Sequence, residues 1–510
     1  MGEPVDTKFK TTGSELLLPV SEHLGFSLDQ VNFLACQLFA LAAAFWFRLY
    51  LSPRHASPLV RHAVATVLGI VFLIFCFGWY SAHILTTVIV NYLIIVTADL
   101  NNVHRYSMVT AMGYLTMCQV SRVFIFNYGI LSTDFSGPLM IVTQRITTLA
   151  FQLHDGMCKK SEQLTSEQKL MAINARPSLI EYLSYNLNFL SVLVGPCSNY
   201  KDYIDFIEGT HISRRLKQHP GTCNGQNGYE KTPDPSPVNA VRHKLLVCCG
   251  CMLFFLTVTR SLPIKHNVDS DFVSSAPFLT RLTYAFFSIQ AARPKFYFAW
   301  TLADAVNNAA GYGFLGIDES GKPSWDLISN INIIGIETAT SFKTFIDNWN
   351  IQTGIWLKTV CYDRASKHRL ALTFVLSALW HGVYPGYYFT FLTAIPITIA
   401  ARAIRKSVRH YFLDSGALKF GYDILTWTAT QLAICYTVMP FLLLSVDETM
   451  VYYSSMYFHV HIISILAAIV LHQKHKPRKP SATPKSFPSS SDSCSAQCQP
   501  VHSNNNDKVD

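Results

Sequence analysis

The stretch ALTFVLSALWHGVYPGYYFTFLTAIPITIA, residues 371–400, contains no Asp, Glu, Lys or Arg over its whole length. As one continuous helix it would measure about 45 Å at 1.5 Å per residue, whereas the hydrocarbon core of a bilayer is about 30 Å thick. The run therefore predicts a membrane segment that has to break. The sequence GVYPG, residues 382–386, supplies the break, because proline removes a backbone donor and glycine adopts conformations that other residues avoid.

The composition of the 510-residue chain is that of a membrane protein. Hydrophobic residues make up 50% of it and charged residues only 14%, whereas an ordinary soluble domain has about 25% charged residues. We therefore predict an all-α, polytopic membrane protein with about eleven transmembrane helices plus embedded or interfacial helices. The clearest apolar segments are residues 31–51, 63–79, 83–98, 245–258, 373–400, 424–444 and 459–471.

Polar stretches delimit the predicted membrane domain. Residues 1–30 form a polar N-terminal segment without the pattern of a cleavable signal peptide. Residues 31–471 form the membrane domain, interrupted at about residues 200–241 by a polar, turn-rich stretch that predicts a flexible loop. Residues 472–510 are basic and then Ser/Pro-rich, which predicts a disordered tail. Its basic residues follow the last span directly, so the positive-inside rule places the C-terminus in the cytosol.

Charge and cysteine usage indicate neither a nucleic-acid partner nor a metal site. The net charge of +9 is small for this length, and loops that face the membrane account for it. The CCGC cluster at residues 248–251 lies inside an apolar segment, and zinc sites require wider spacing and polar neighbours. We therefore predict no metal and no nucleic acid.

Residues 340–360, TSFKTFIDNWNIQTGIWLKTV, carry apolar side chains at helical spacing, with charged residues on the opposite side. The pattern predicts a single amphipathic helix within a mixed, interfacial region at residues 317–369. On that helix Asn350 lies at the edge of the apolar stripe, whereas Asn348 lies further toward the polar side. The pattern therefore favours Asn350 as the amide that faces inward.

His381 is the titratable group within the uncharged run. It follows Arg369 by twelve residues, or about 18 Å of helix, which places it near the middle of the membrane. An ionisable residue at that depth is a functional hypothesis by default, and burial favours the neutral imidazole that a general base needs. The alternative is a histidine that hydrogen-bonds between helices as structural support, and the position alone leaves both open. The pair His154 and Asp155 is a rival candidate.

No companion nucleophile accompanies His381. The chain contains no G-x-S-x-G elbow, no H-E-x-x-H metal motif and no phosphate-binding glycine loop followed by Lys-Ser/Thr. A lone embedded base suits direct attack by a substrate hydroxyl on an acyl donor that is already activated, such as a thioester.

Four motifs carry a resemblance to a known family. ALWHGVYPGYY (residues 378–388) and DNWNIQTGIWLK (347–358) together resemble the membrane-bound O-acyltransferase family. PSLIEYLSYNLNFLSVLVGPCSNYKDY (177–203) and YFAWTLADAVNNAAGYGF (297–314) are similar to its lysophospholipid acyltransferase branch. The likeness runs from about residue 11 to residue 471. It implies a helical bundle around a tunnel, in which acyl-CoA enters from the cytosolic side and the lysophospholipid enters laterally from the bilayer.

The resemblance also implies site residues. His381 would be the general base and Asn350 its partner, which would orient the histidine or hydrogen-bond the reacting groups, because an amide is no base at neutral pH. No cofactor is implied, since acyl-CoA is a co-substrate. Trp380 is a further candidate for the substrate tunnel, although plain packing explains it equally well. Asp304, Asn307 and Asn308 are candidates to face the head group, but interhelical hydrogen bonding is the favoured explanation for these three.

The function implied is acyl-CoA-dependent lysophospholipid O-acyltransfer during phospholipid remodelling in the endoplasmic reticulum membrane. The branch favours lysophosphatidylethanolamine or lysophosphatidylserine as acceptor and an unsaturated, oleoyl-like donor. One alternative is acylation of a sterol or protein hydroxyl by the same fold. Another is a non-enzymatic lipid transporter, but transporters usually show paired broken segments in two related halves, and this sequence shows one break.

Overall fold

The computed structural model describes residues 11–124, 134–218, 235–318 and 321–474. These residues form α-helices and turns, with one antiparallel pair of short strands, β1 (Gly316–Ile317) and β2 (Pro323–Ser324). The predicted all-α class is therefore confirmed. Residues 475–510 lie outside the described residues, so the disordered, cytosolic tail stays a prediction.

Six helices build the N-terminal part of the bundle. Oγ of Ser57 accepts the backbone N–H of Val60 at the start of the third helix, as an N-cap residue does. That helix ends at Gly78, where φ is +56° and an added Cβ would lie 1.9 Å from the carbonyl oxygen of Thr12, so only glycine fits. The six are α1 (Leu18–Leu24), α2 (Leu28–Tyr50), α3 (Pro58–Phe77), α4 (Ser81–Thr97), α5 (Val103–Phe124) and α6 (Ser136–Cys158).

Residues 200–218 are helical rather than a flexible loop. Arg61 of α3, which is only 2% exposed, donates hydrogen bonds to the carbonyl oxygens of Phe206 and Ile207 and so satisfies the C-terminal end of this segment's first helix. An apolar face of that helix is buried against α3, which a solvent-exposed loop would not be. Residues 219–234 of the predicted loop lie outside the described residues. The helices here are α7 (Ser166–Met171), α8 (Leu179–Leu187), α9 (Tyr200–Glu208) and α10 (His211–Gln218).

The prediction of one amphipathic helix over residues 340–360 is wrong. Two helices stand there, and between them Trp349 forms an antiparallel bridge with Ile331. The backbone N–H of Ile351 also donates to the carbonyl oxygen of Asn330 at 2.9 Å. Pairing with this distant segment replaces the hydrogen bonds that a continuous helix would have made. The elements are α15 (Ile333–Glu337), α16 (Phe342–Asn348), α17 (Ile351–Leu357) and a π-helical turn at Lys358–Tyr362.

The predicted break in the uncharged run is confirmed. Helix α18 (Arg369–His381) ends at Gly382, where φ is +136°, and α19 (Pro385–Val408) begins three residues later. Gly386 lies so close to the next helix, α20 (Gly416–Leu443), that an added Cβ would be 2.1 Å from the carbonyl oxygen of Pro440. The break therefore lets α19 pack backbone to backbone against α20.

The remaining helices complete the bundle around these elements. They are α11 (Val238–Thr257), α12 (Ser270–Ser275), α13 (Phe278–Ala292), α14 (Pro294–Ala309), α21 (Val446–Ser455) and α22 (His459–Lys474). Helix α11 packs along α14, and the CCGC cluster lies within α11, in the apolar segment predicted for it. Aromatic side chains of α20 and α21 form a second buried cluster that includes Tyr436, Tyr452 and Tyr453.

Length and hydropathy identify fewer spans than the sequence predicts. In the described part of the chain, four helical stretches can cross a membrane, or five if a pair bent by 74° counts as one span. The chain is thus a multi-pass membrane protein, but about eleven spans are not confirmed. Helix α18 has 13 residues and is too short by itself, and α6 buries polar groups such as Gln144 and Arg145. The four stretches are Leu28–Tyr50, Pro58–Thr97, Val238–Val268 and Pro385–Phe412, and the bent pair is Val446–Ser455 with His459–Leu471.

Candidate active site

His381 is the last residue of α18 and is surrounded by aromatic rings. The ring centroid of Trp380 lies 4.6 Å from that of the imidazole. Phe391 of α19 stacks on the imidazole at 5.2 Å, and Phe441 of α20 meets it edge-on at 5.0 Å. Tyr387 lies 5.8 Å away. The helix break thus places one imidazole where three helices contribute aromatic side chains.

The hydrogen bonding of His381 differs from that of a structural histidine. Over the described ranges, no group hydrogen-bonds to either imidazole nitrogen of His381. His461 shows the contrasting pattern, since its Nε2 pairs with Oγ1 of Thr393 at 2.9 Å and its Nδ1 with the hydroxyl of Tyr436 at 2.8 Å. His461 therefore joins α22 to α19 and α20, whereas neither imidazole nitrogen of His381 joins helices among the described residues. This pattern favours the functional alternative for His381.

The rival pair His154 and Asp155 is committed to other contacts. Nδ1 of His154 pairs with the carbonyl oxygen of Leu100 at 3.1 Å. Both carboxylate oxygens of Asp155 accept hydrogen bonds from Arg364, at 2.7 and 2.5 Å, and Lys159 lies 3.1 Å away. Burial alone would raise the pKa of Asp155, but the two cations outweigh it, so the pKa lies below its ordinary value. The carboxylate is thus held as a structural anion at the polar end of α6.

Asn350 stands at the break between α16 and α17, with a left-handed backbone at φ 50°. Its Oδ1 accepts a hydrogen bond from Nδ2 of Asn330 at 3.0 Å. Among the described residues, none accepts a hydrogen bond from Nδ2 of Asn350. In Asn348, by contrast, both ends of the amide are used, because Oδ1 accepts from Asn332 at 2.8 Å and Nδ2 donates to the carbonyl oxygen of Thr344 at 2.7 Å. The geometry therefore favours Asn350 over Asn348 as the amide that meets a substrate.

The helices that carry the two candidates meet through a pair of tryptophans. The rings of Trp356 in α17 and Trp380 in α18 lie 5.7 Å apart. Both indoles are anchored on α6, where Nε1 of Trp356 donates to Oγ1 of Thr147 at 2.9 Å and Nε1 of Trp380 donates to the carbonyl oxygen of Met140 at 3.1 Å. No hydrogen bond joins the side chains of Asn350 and His381 themselves, both of which are described.

The remaining tunnel candidates lie together on α14 and are hydrogen-bonded to neighbouring elements. Lys244 of α11 donates to Oδ2 of Asp304 at 2.7 Å and to Oδ1 of Asn308 at 2.9 Å. Nδ2 of Asn307 donates to the carbonyl oxygen of Leu190 at 3.1 Å. These are the contacts that interhelical hydrogen bonding predicts. A role of the three residues in the substrate tunnel stays a prediction.

Two groups beside the candidate site were not anticipated from the sequence. Nε2 of Gln119 in α5 donates to the carbonyl oxygen of Trp380 at 3.1 Å and so occupies a backbone group that the break leaves free. Asn330 holds Asn350 as described above. Both are single polar residues without a motif, so no signal in the sequence distinguishes them from other buried amides.

Residues 120–439 match MBOAT, the membrane-bound O-acyltransferase family, over a range that includes Asn350 and His381. The chain is 56% identical over 490 residues to the membrane-bound glycerophospholipid O-acyltransferase 1 of Mus musculus, an alignment that covers 96% of this chain and 99% of that protein. It is 53% identical over 473 residues to the membrane-bound glycerophospholipid O-acyltransferase 2 of Homo sapiens, covering 92% and 90%. It is also 39% identical over 461 residues to the lysophospholipid acyltransferase 6 of Drosophila melanogaster, covering 90% of this chain and 63% of that protein.

Proposed function

Because the chain belongs to the membrane-bound O-acyltransferase family and is an O-acyltransferase, we propose that it transfers a fatty acyl chain from acyl-CoA to the free hydroxyl of a lysophospholipid. The names of its relatives support a glycerophospholipid acceptor. Within that class we propose lysophosphatidylethanolamine or lysophosphatidylserine as acceptor and an unsaturated, oleoyl-like acyl chain as donor.

The observation that carries the proposal is the state of His381. Its imidazole lies at the end of a broken helix in an uncharged run, is packed among aromatic rings, and has no hydrogen-bond partner among the described residues. A histidine kept for structural support would be hydrogen-bonded across helices, as His461 is. An imidazole with free nitrogens in apolar surroundings is neutral and can accept a proton from a substrate hydroxyl.

The reaction follows as a direct transfer. The imidazole of His381 takes the proton from the glycerol hydroxyl while that oxygen attacks the thioester carbonyl carbon. The carbonyl oxygen gains negative charge in the tetrahedral intermediate, which an N–H of Asn350 stabilises. The intermediate then expels CoA as a thiolate, which takes up the proton from the imidazolium. The products are the diacyl phospholipid, free CoA and the neutral histidine.

An acyl-enzyme intermediate would need a nucleophilic side chain paired with the base. Within the described residues, no Ser, Thr or Cys side chain hydrogen-bonds to His381. We therefore propose that the acyl group passes directly from CoA to the lipid hydroxyl.

The membrane arrangement belongs to the same proposal. About eleven spans around a tunnel would give acyl-CoA access from the cytosol and the lysophospholipid access from the bilayer. The protein would reside in the endoplasmic reticulum membrane with its C-terminus in the cytosol. Trp380 borders the base and would form part of the tunnel wall near the thioester.

A panel of acceptors and donors with the purified protein tests the proposal. Oleoyl-CoA would be offered with lysophosphatidylethanolamine, lysophosphatidylserine, lysophosphatidylcholine, a sterol and a hydroxyl-bearing peptide, and the acylated products would be measured by mass spectrometry. We expect CoA release only with lysophospholipids, fastest with the first two. Product formation on the sterol or the peptide alone would contradict the proposed acceptor class. If the purified protein instead moves intact lysophospholipid across vesicle membranes without releasing CoA, the transporter alternative is supported.

A further inference from the structure

Two pairs of asparagines flank the bridge between Ile331 and Trp349. On one side Asn330 donates to Asn350 at 3.0 Å, and on the other Asn332 donates to Asn348 at 2.8 Å. The pairs are built alike. In one, the residue before Ile331 contacts the residue after Trp349, and in the other, the residue after Ile331 contacts the residue before Trp349. They differ in what the second asparagine of each pair does with its NH₂ group.

The orientation of Asn330 is fixed by the backbone. Its Oδ1 accepts the backbone N–H of Gln352 at 3.0 Å. A backbone N–H can only donate, so the atom that faces it has to be the amide oxygen. The other end of the Asn330 amide is therefore NH₂, and this end faces Asn350.

That assignment decides the orientation of Asn350 in turn. An NH₂ group can only donate, so the Asn350 atom that lies 3.0 Å from it has to be Oδ1. The two ends of an amide look alike in shape, and a hydrogen-bonding partner of fixed polarity is what tells them apart. Nδ2 of Asn350 is consequently the end that points away from Asn330, and no described residue accepts a hydrogen bond from it.

Asn330 is held firmly enough to impose this choice. It is 6% exposed, and its carbonyl oxygen accepts the backbone N–H of Ile351 at 2.9 Å. The residue before it, Ser329, donates from its hydroxyl to Asp304 at 2.5 Å. Nε2 of Gln352 donates to the carbonyl oxygen of Leu327 at 3.2 Å, which ties α17 to the same segment. Asn330 therefore contacts the break before α17 through its Oδ1, its Nδ2 and its carbonyl oxygen. These hydrogen bonds prevent its side-chain amide from rotating.

We propose that Asn330 is a positioning residue that makes Asn350 present its N–H₂ group, and not its carbonyl, to the reacting atoms. The inference rests on the proposed function, in which the thioester oxygen becomes negative during the transfer. An N–H donor stabilises that charge, whereas an amide oxygen in the same place would repel it. Asn330 thus determines that the NH₂ end of the Asn350 amide, and not its oxygen end, is available to the substrate.

The Asn332–Asn348 pair supplies the matched comparison. Nδ2 of Asn348 is already used within α16, where it donates to the carbonyl oxygen of Thr344 at 2.7 Å. Oδ1 of Asn332 accepts the backbone N–H of Gly335 at 3.0 Å, just as Oδ1 of Asn330 accepts that of Gln352. The same substitution in the two pairs therefore removes the same kind of hydrogen bond, but in only one of them does it act on Asn350.

The experiment replaces the donor by an acceptor in purified full-length protein. In Asn330→Asp the carboxylate still accepts the N–H of Gln352 but no longer donates, so Asn350 turns to offer its NH₂ to the carboxylate and its carbonyl to the substrate. We expect kcat for CoA release from oleoyl-CoA and lysophospholipid to fall about 10²-fold, as when an oxyanion donor is lost, while KM for acyl-CoA stays within a factor of about two of the wild-type value. The control Asn332→Asp is expected to keep the wild-type kcat.

A double variant separates positioning from general damage. If Asn330 acts only through Asn350, N330D adds no further loss of kcat to Asn350→Ala. Full additivity of the two losses, or a wild-type kcat in N330D, would overturn the positioning role. If N330D lowers the amount of folded protein, Asn330→Ala replaces it in the same cycle, because alanine removes the amide donor without adding charge, and the same criterion applies. An Asn350→Ala variant with wild-type kcat would instead refute the proposed function of Asn350, a result distinct from either outcome for Asn330.

Discussion

The indole rings of Trp356 and Trp380 lie 5.7 Å apart, and this contact joins the helix that begins after Asn350 to the helix that ends on His381. Asn350 precedes Trp356 by six residues, or about 9 Å of helix, and His381 follows Trp380 directly. Both indoles are hydrogen-bonded to α6. The two candidate residues are thus connected through a rigid, buried contact, which makes their separation sensitive to changes at either tryptophan.

Replacing His381 by Ala is expected to abolish CoA release from acyl-CoA and lysophospholipid while the protein remains folded. The variant loses ring packing against Phe391 and Phe441, but the imidazole has no hydrogen-bond partner in the described part of the chain, so no buried polar group is left unpaired. CoA release would be followed with a thiol reagent, and folding by size-exclusion chromatography. His154→Ala is the control and should keep its activity. Undiminished turnover in H381A would refute the assignment of the base.

The pair Asn350→Ala and Asn348→Ala tests which amide serves the reaction. We expect kcat to fall about 10²-fold or more in N350A, because an amide donor to the oxyanion is lost. In N348A we expect a value within a factor of about two of the wild type, because both ends of the Asn348 amide are used in local hydrogen bonds. Steady-state kinetics on both variants at equal folded protein would decide. The reverse ranking would move the role to Asn348.

Trp356→Phe is expected to weaken catalysis through geometry. The variant keeps an aromatic ring but loses the hydrogen bond to Thr147, worth about 1 kcal/mol of stability. That bond fixes the helix that follows Asn350. We expect kcat to fall about 10-fold, because small misplacements of reacting groups slow the chemical step.

The matched control for this variant is Trp427→Phe. It removes an equivalent indole hydrogen bond, from Nε1 to the carbonyl oxygen of Glu337 at 2.6 Å, in a part of α20 away from His381. It should lower thermal stability by a similar amount and leave kcat unchanged. Equal kinetic effects in the two variants would show that the Trp356 contact has no special influence on the site.

Asp155→Asn distinguishes a structural anion from a catalytic one. The carboxylate is buried and paired with Arg364, and removal of one partner of a buried ion pair costs about 3 kcal/mol or more. We therefore expect a clear decrease in the melting temperature, measured by tryptophan fluorescence, with kcat per folded molecule unchanged. If D155N instead lost kcat without a decrease in melting temperature, the result would favour the pair of His154 and Asp155 as the catalytic site.

The same ion pair predicts a direction for the pH dependence of stability. Because the pKa of Asp155 lies below its ordinary value in the folded protein, the pairing stabilises the fold fully above the unfolded pKa of about 4. This contribution is lost as the pH falls through the lower folded pKa. The difference in stability between wild type and D155N should therefore shrink at acid pH and be constant near neutrality.

Features that depend on the local sequence pattern could be predicted, whereas features that depend on contacts with distant segments could not. The break after His381 was predictable, because an uncharged run too long for the membrane contains glycine and proline at one place. The break before Asn350 was not, because residues 340–360 have a good helical pattern and the interruption comes from pairing with Ile331. The helix at residues 200–208 likewise depends on Arg61, which lies in a helix far away in the chain.

The residues of the candidate site also differ in whether the local sequence reveals them. His381 stands out as a titratable group in apolar sequence, and the family motifs point to Asn350. Asn330 and Gln119 carry no local signal, since their importance lies in the atoms they contact: Asn350 for the first and the carbonyl oxygen of Trp380 for the second. Both contacts join segments that are far apart in the chain or separated by a turn, so no periodicity reveals them.

Gly382→Ala tests whether the broken helix positions the base. Gly382 has φ +136°, a conformation that only glycine adopts readily, and an added Cβ would lie 3.3 Å from the ring of Tyr387. Strain of this kind costs about 1 to 3 kcal/mol, and its relief would extend α18 or rotate His381 within its aromatic surroundings. We expect a lower melting temperature together with a loss of kcat of about 10-fold or more. Gly113→Ala, in the interior of α5 with nothing within 4 Å of the added Cβ, is the control and should be neutral or slightly stabilising. If G382A lost stability but kept the wild-type kcat per folded molecule, the break would be needed for packing of α19 and not for placing His381.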